Sequence, residues 1–144
     1  MIPQLLLQIS KIALQWGLHP EIAARFVVIN KILSLWGLTP LVLVSGYRDA
    51  EKQRMLRENW DAGREVYPVG MPVVRPACDS NHTVTMGGLP ASLAFDATGS
   101  PQTKELFARL WTIFNGAKWG GWFANPDPNH YHASMMFTQR NPIC

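Results

Sequence analysis

Pro40-Leu41-Val42-Leu43-Val44-Ser45-Gly46-Tyr47-Arg48-Asp49 is where the chain changes period. Four consecutive apolar residues, two of them valine, stand between Pro40 and Gly46. That pattern reads as a short buried strand, with residues 45–48 as its exit turn. Upstream the spacing is helical. Leu5, Leu6, Ile9, Ile12, Ala13 and Trp16 share a helix face, and Gly17 stops the run. Pro20 suits the first turn of a second helix. Its face carries Ile22, Ala23, Phe26, Ile29, Leu33 and Trp36, and Gly37 ends it. Residues 15–20 (Gln-Trp-Gly-Leu-His-Pro) and 35–40 (Leu-Trp-Gly-Leu-Thr-Pro) look alike. The likeness ends there, so it marks one helix-stop chemistry used twice and not a repeat architecture.

Downstream, Asp49 is a helix N-cap and the spacing predicts a helix over 50–60. Residues 63–70 read as loop. Val73-Val74 is a short strand candidate, and Leu93-Ala94-Phe95 is another that ends at Asp96. Ser100 caps a further helix, with Pro101 in its first turn and Leu106, Phe107, Leu110, Trp111 and Phe114 as its buried stripe. Asn115-Gly116 ends it. Trp119-Gly120-Gly121-Trp122 is a tight aromatic turn, and the last strand is expected over 131–137. Helices followed by a cluster of short strands predict an α+β fold. With no long linker, 1–144 is expected to be a single domain, with 1–19 as an N-terminal helical extension.

The 144 residues are 47% apolar and 16% charged, the balance of a folded chain, and six Trp and six Phe can fill a core. A net charge of +3 suits an anionic partner such as a cell-wall polymer. It is too small to argue for nucleic acid, and no lysine/arginine run supports one. The two cysteines, Cys78 and Cys144, form no Cys-x-x-Cys pair, which excludes a thiolate zinc knuckle. So low a count favours free thiols over a bridge. The first residues are apolar, but no positive charge leads them, and Gln4, Gln8 and Lys11 interrupt the run. No signal peptide is expected. No stretch reaches the roughly 20 apolar residues of a membrane span. A substrate outside the cytoplasm would need another delivery route.

Three residues carry metal chemistry: His82 in Ser80-Asn81-His82, Asp96 after Ala94-Phe95, and His130 in residues 127–132 (Asp-Pro-Asn-His-Tyr-His). A His/Asp/His set leaves a coordination position open for water, as catalytic zinc sites do. Asp127, three positions before His130, is the carboxylate expected to act as general base on that water. Pro128 excludes a regular helix interior between them, so this is not the helical His-Glu-x-x-His device. His132 would share a strand face with His130, as an alternative ligand or an orienting partner. His19 reads as a surface or capping residue.

Taken in order, Ser45-Gly46-Tyr47-Arg48, Gln53, Ser80-Asn81-His82, Ala94-Phe95-Asp96, Trp119-Gly120-Gly121 and Asp127-Pro128-Asn129-His130-Tyr131 resemble the zinc D-alanyl-D-alanine carboxypeptidase family. That family includes the vancomycin-resistance dipeptidases and the L-alanyl-D-glutamate endopeptidases of phage endolysins. Residues 59–64 (Asn-Trp-Asp-Ala-Gly-Arg) and the Trp-Gly-Gly turn are most similar to the endolysin branch. The resemblance spans roughly residues 20–137. It implies a small α+β domain whose antiparallel sheet carries Zn2+ on His82, Asp96 and His130. It implies Asp127 as catalytic acid/base and Arg48 as the cation that polarises the scissile carbonyl. Ser80, Tyr47, Trp119 and Trp122 would then contact substrate.

The implied activity is hydrolysis of a peptidoglycan stem-peptide amide, of D-Ala-D-Ala or L-Ala-D-Glu type. It would act at the cell wall or periplasm, delivered by phage lysis machinery or a virion, with virion proteins as further partners. Two departures matter. The spacer between His82 and Asp96 is longer than the family's, with an insertion over 85–91 (Thr-Met-Gly-Gly-Leu-Pro-Ala), and Ser92 replaces a glycine. His132 stands where the family has Gln or Glu. The inserted loop either covers the site or breaks the metal geometry. The second outcome would leave a non-catalytic structural or cell-wall-binding virion component.

Overall fold

The computed structural model describes residues 2–64 and 75–144. The architecture is α+β. Helices α1 (Ile2–Trp16) and α2 (Pro20–Leu35) come first, then β1 (Val42–Ser45) and α3 (Ala50–Asp61). A one-turn 3-10 helix (Asn81–Thr83) precedes the hairpin β2 (Thr85–Met86) and β3 (Leu89–Pro90). Then follow β4 (Ala94–Thr98), α4 (Pro101–Trp111), β5 (Lys118–Trp119), a second 3-10 turn (Gly120–Trp122) and β6 (His130–His132). The main sheet has the order β1-β4-β6-β5, with every described pairing antiparallel.

Local chemistry places the helix starts where the sequence predicts them, but α4 stops at Trp111 and not at Asn115-Gly116. Phe114, Trp36 and Leu6, expected on buried helix faces, are 39%, 58% and 59% exposed. Gly17 stops α1 at φ +62°, a conformation that costs glycine little. His19 caps α2, its Nδ1 accepting the Glu21 N–H. Asp49 caps α3 by accepting the Lys52 N–H at 2.7 Å, and Ser100 caps α4 by accepting that of Thr103. Helix α1 lays Leu5, Ile9, Ile12, Ala13 and Trp16 against the core, and the Trp16 carbonyl accepts the Tyr47 N–H.

The core lies on one face of the sheet, under α2 and α4. Phe95 of β4 stacks on Tyr131 of β6, with ring centroids 5.2 Å apart. Phe26, Phe107 and Trp111 meet Phe95 edge-on or nearly so at 5.2, 6.1 and 5.3 Å. All five are at most 4% exposed. Their packing contributes beyond area burial, about 0.5–1.5 kcal/mol per aromatic pair.

Several expectations are corrected. The strand at 41–44 is not buried: β1 is an edge strand with one partner, and Val42 and Val44 are 63% and 48% exposed. Only Leu41 and, in part, Leu43 turn inward. Asp96 does not end its strand. β4 continues through Ala97 and Thr98, because Ala97 fills the core face one step further along. The last strand stops at His132 and does not reach 137. Beyond it Ala133 makes one more bond to Leu93, and Phe137 adopts φ +62° while 88% exposed. The Val73-Val74 candidate lies outside the described residues.

The cysteines are not free thiols: Cys78 and Cys144 form a disulfide with a Cα–Cα distance of 5.2 Å. The final residues run back along the 78–85 segment. Gln139 and Thr85 exchange backbone hydrogen bonds, Asn141 donates to the Thr83 carbonyl, and Ile143 N–H donates to the Cys78 carbonyl. This strap brings the two thiols together across a sequence separation of 66 residues, a proximity that a count of two could not reveal. Closing a loop of that size contributes about 2–4 kcal/mol by restricting the unfolded chain.

Candidate metal centre

Alternation along β4 and β6 puts Phe95 and Tyr131 into the core and turns Asp96, His130 and His132 to the opposite face. Asp96 and His130 are register partners, as are Phe95 and Tyr131. His82 comes from the 3-10 turn between α3 and β4. Ser80 caps that turn, its hydroxyl accepting the His82 N–H at 3.1 Å. Ligating atoms of His82, Asp96 and His130 all lie within 4.8 Å of one another. The three residues can hold a metal ion.

The hydrogen bonds select the ring nitrogen that His82 turns to the centre, and they leave His130 two tautomers. His82 is 3% exposed and its Nδ1 lies 2.7 Å from the Gly46 carbonyl oxygen. A carbonyl only accepts, so Nδ1 carries the proton and Nε2, 3.5 Å from Asp96 Oδ2, keeps its lone pair. His130 presents Nδ1 to Asp96 Oδ1 at 3.3 Å, and its Nε2 lies 2.9 Å from His132 Nδ1. In the metal-free arrangement the anionic Asp96 only accepts, so His130 Nδ1–H donates to it. For Nδ1 to offer a lone pair to a metal instead, the proton must move to Nε2 and be donated to His132. His132 then has to be neutral, with its own proton on Nε2. Burial, reinforced by His130, His82, Arg140 and Lys118, pushes the His132 imidazole down to about 4, which keeps it neutral. A neutral outer partner of this kind can stabilise the tautomer that ligation needs.

Asp96 is the hub. It accepts the Ser45 hydroxyl at 3.1 Å and the Arg48 guanidinium at 2.8 Å. Arg48 is in turn held by Ser45 Oγ at 3.0 Å and by Gln53 Oε1 at 3.1 Å. Gln53, buried at 1% exposure, is fixed by donating to the Ala77 carbonyl. Burial alone would push the Asp96 carboxyl up. His82, the His130 hydrogen bond and Arg48 outweigh it and hold it well below the usual range. Burial, then Arg48, pushes the His82 imidazole down, while Asp96 pulls it up. The His82 and His130 contributions need a ring proton turned to Asp96, but the Gly46 carbonyl commits the His82 proton to Nδ1. With His82 neutral, the Arg48 guanidinium is the fixed positive charge that keeps Asp96 anionic. A carboxylate with two imidazoles is a donor set suited to a divalent ion.

Asp127 sits on the loop before β6. Its N–H donates to the Gly120 carbonyl at 2.9 Å, and its own carbonyl accepts the His130 N–H at 3.0 Å. Its carboxyl is raised by burial and then by the Asp96 charge, against lowering by His130, the Asn129 N–H and Arg48. Gly120 makes the approach possible: a β-carbon there would collide with the Asp127 carbonyl oxygen and come within 3.1 Å of His130 Cβ.

The other predicted site residues divide. Tyr47 lines a cavity of about 590 Å³ with Ser45, Gly46, Arg48 and Lys52. Ser80 is buried, with its hydroxyl engaged in the cap. Trp119 is 8% exposed, stacks on Tyr131 and donates Nε1–H to the Pro128 carbonyl, which makes it part of the wall that supports the 120–130 loop. Trp122 is 54% exposed. The inserted segment folds as the β2–β3 hairpin, turning through Gly87 and Gly88, and leaves the three ligand positions together. Its Pro90 lines the cavity beside Arg48. Sequence reasoning missed the roles of Ser45 and the Gly46 carbonyl. Both lie in a stretch read as an exit turn and as a motif in which only Tyr47 and Arg48 carry roles, and a backbone acceptor has no sequence signal. Among the described residues, no helix is long and apolar enough to cross a membrane. No protein-family model matches the chain, and a search of curated proteins finds no match.

Proposed function

We propose that this chain is a zinc-dependent peptidase that hydrolyses a stem-peptide amide of peptidoglycan. The observation that carries the reading is the convergence of His82, Asp96 and His130, with Asp127 raised by burial beside them. A zinc ion held there would supply Lewis acidity and a water acidified to a pKa of about 7. Asp127 is the proton carrier: a carboxyl with a raised pKa accepts a proton from water and returns it to the leaving amine. Arg48, locked by Gln53, Ser45 and Asp96, is a preorganised cation for the oxyanion that develops on the substrate carbonyl. His132 would accept the Nε2 proton of His130 in the tautomer that ligation needs. The family resemblance supports the substrate class, and with it a role in phage lysis or on a virion.

The test is digestion of purified peptidoglycan by the zinc-loaded chain, read by mass spectrometry of the released fragments. New amine ends at D-Ala-D-Ala or L-Ala-D-Glu are expected. Asp127→Ala should lower turnover by about 10²–10⁴-fold with zinc content unchanged. Full turnover in that variant, or wild-type chain that binds zinc and releases no peptide, would overturn the reading.

A further inference from the structure

The two edges of the main sheet carry different cavities on either side of the ligand-bearing strands β4 and β6. At the β1 edge the cavity presents Arg48 and Lys52. At the β5 edge a second cavity, of about 580 Å³, is lined by Thr112, Ala117, Lys118, Trp119, Trp122 and Phe123. That volume falls in the usual range for small-molecule sites, roughly 300–1,000 Å³. It adjoins the centre, because the Phe123 ring lies 5.8 Å from His132 and 6.4 Å from His130.

Trp122 and Phe123 are 54% and 39% exposed, large apolar faces left open to solvent. They are not loosely held. Trp122 stands edge-to-face on Trp119 at 5.2 Å and 81°, and Trp119 is itself fixed by Tyr131 and Pro128. Among the described lining residues Lys118 is the single charged one, and none is a carboxylate. A peptide strand is a poor occupant. β5 is two residues long, and its Lys118 carbonyl already accepts the Trp111 indole N–H at 3.1 Å. Recognition here therefore runs through ring faces with a polar rim. A pyranose has that chemistry: a flat C–H face to lie on an aromatic ring, and hydroxyl or acetamido oxygens at its edge for an ammonium group.

We propose that the β5-edge cavity is a saccharide subsite, in which Trp122 and Phe123 take the apolar face of a sugar ring and Lys118 bonds its edge oxygens. The assignment rests on the peptidase reading for its biological substrate. The glycan strand lies along β5 and the stem peptide passes Phe123 to the metal ligands.

The test is an NMR titration of the full chain, with and without zinc, using the N-acetylglucosamine tetramer as probe. The Trp122 indole N–H signal, identified by its loss in Trp122→Phe, should shift saturably. Trp122→Ala should weaken binding about tenfold, while Trp122→Phe, which keeps a ring face, stays within a few-fold of wild type. In parallel, Trp122→Ala should lower cleavage of glycan-linked stem peptide about tenfold more than cleavage of free stem peptide. No shift at tetramer concentrations on the order of 10 mM overturns the proposal. So does an equal loss on both substrates, which would assign the aromatic shelf to peptide. The titration needs no turnover, so it judges the subsite even if the chain cleaves nothing.

Discussion

The two faces of the β4–β6 pair differ in almost every property, although their residues alternate along the same few positions. Phe95 and Tyr131 form one register pair, dry and stacked under α2 and α4. Asp96 and His130 form the next, turned outward into a polar network with Arg48, Ser45 and His132. The aromatic face holds itself together, whereas the polar face gathers donor atoms that an added cation can satisfy. A slip of one residue in pairing would exchange them, so the aromatic stack also sets the register of the metal ligands.

The largest test of that coupling is Phe95→Ala. Loss of a fully buried ring should cost about 3–5 kcal/mol of stability, read by urea unfolding. Zinc affinity should fall with it, although Phe95 touches no ligand atom. Undiminished affinity in a folded variant would show that the faces are independent.

A smaller effect is expected from His132→Ala, which leaves the aromatic face alone. Removing the acceptor that would stabilise the ligating tautomer of His130 should weaken zinc binding by about 10–100-fold. His132→Gln, which keeps a side-chain acceptor, should recover much of it. Equal losses in both variants would mean that His132 acts by bulk and not by hydrogen bonding.

The smallest effect is a pH slope in the metal-free chain. His132 titrates near 6.5 when unfolded and at about 4 when folded, so between those values the unfolded state binds more protons. Stability is therefore full above about pH 6.5 and falls as pH drops towards 4. His82, also lowered, adds to the fall in the same sense. With His132 only partly buried, its share is on the order of 1–2 kcal/mol. His132→Gln should flatten that part of the curve in thermal melts across the window. An unchanged slope would remove His132 as its source.

Much of this was legible in the sequence because it is local or chemically loud. Gly17, His19, Asp49 and Ser100 mark helix ends through short-range bonds, and those ends fall where spacing puts them. His82, Asp96 and His130 were found by donor chemistry, and the fold brings them together. What stayed hidden depends on approach through space. The bridge between Cys78 and Cys144 needs the return of the C-terminal strap. The exposure of Val42 and Val44 depends on β1 lying at the edge of the sheet, and an apolar run looks the same at an edge as at a centre. Gln53 acts through Arg48 and Ala77, partners that no spacing announces.

Position 120 limits how far this sequence can drift. Every amino acid but glycine carries a β-carbon, and the room it would need is already taken by the backbone of Asp127 and the side chain of His130. A replacement would first displace Asp127 and His130, before it disturbed the rest of the molecule. Under the peptidase proposal, a screen for inactive variants would return this codon beside those of His82, Asp96 and His130, although the residue has nothing of its own to offer a metal or a proton.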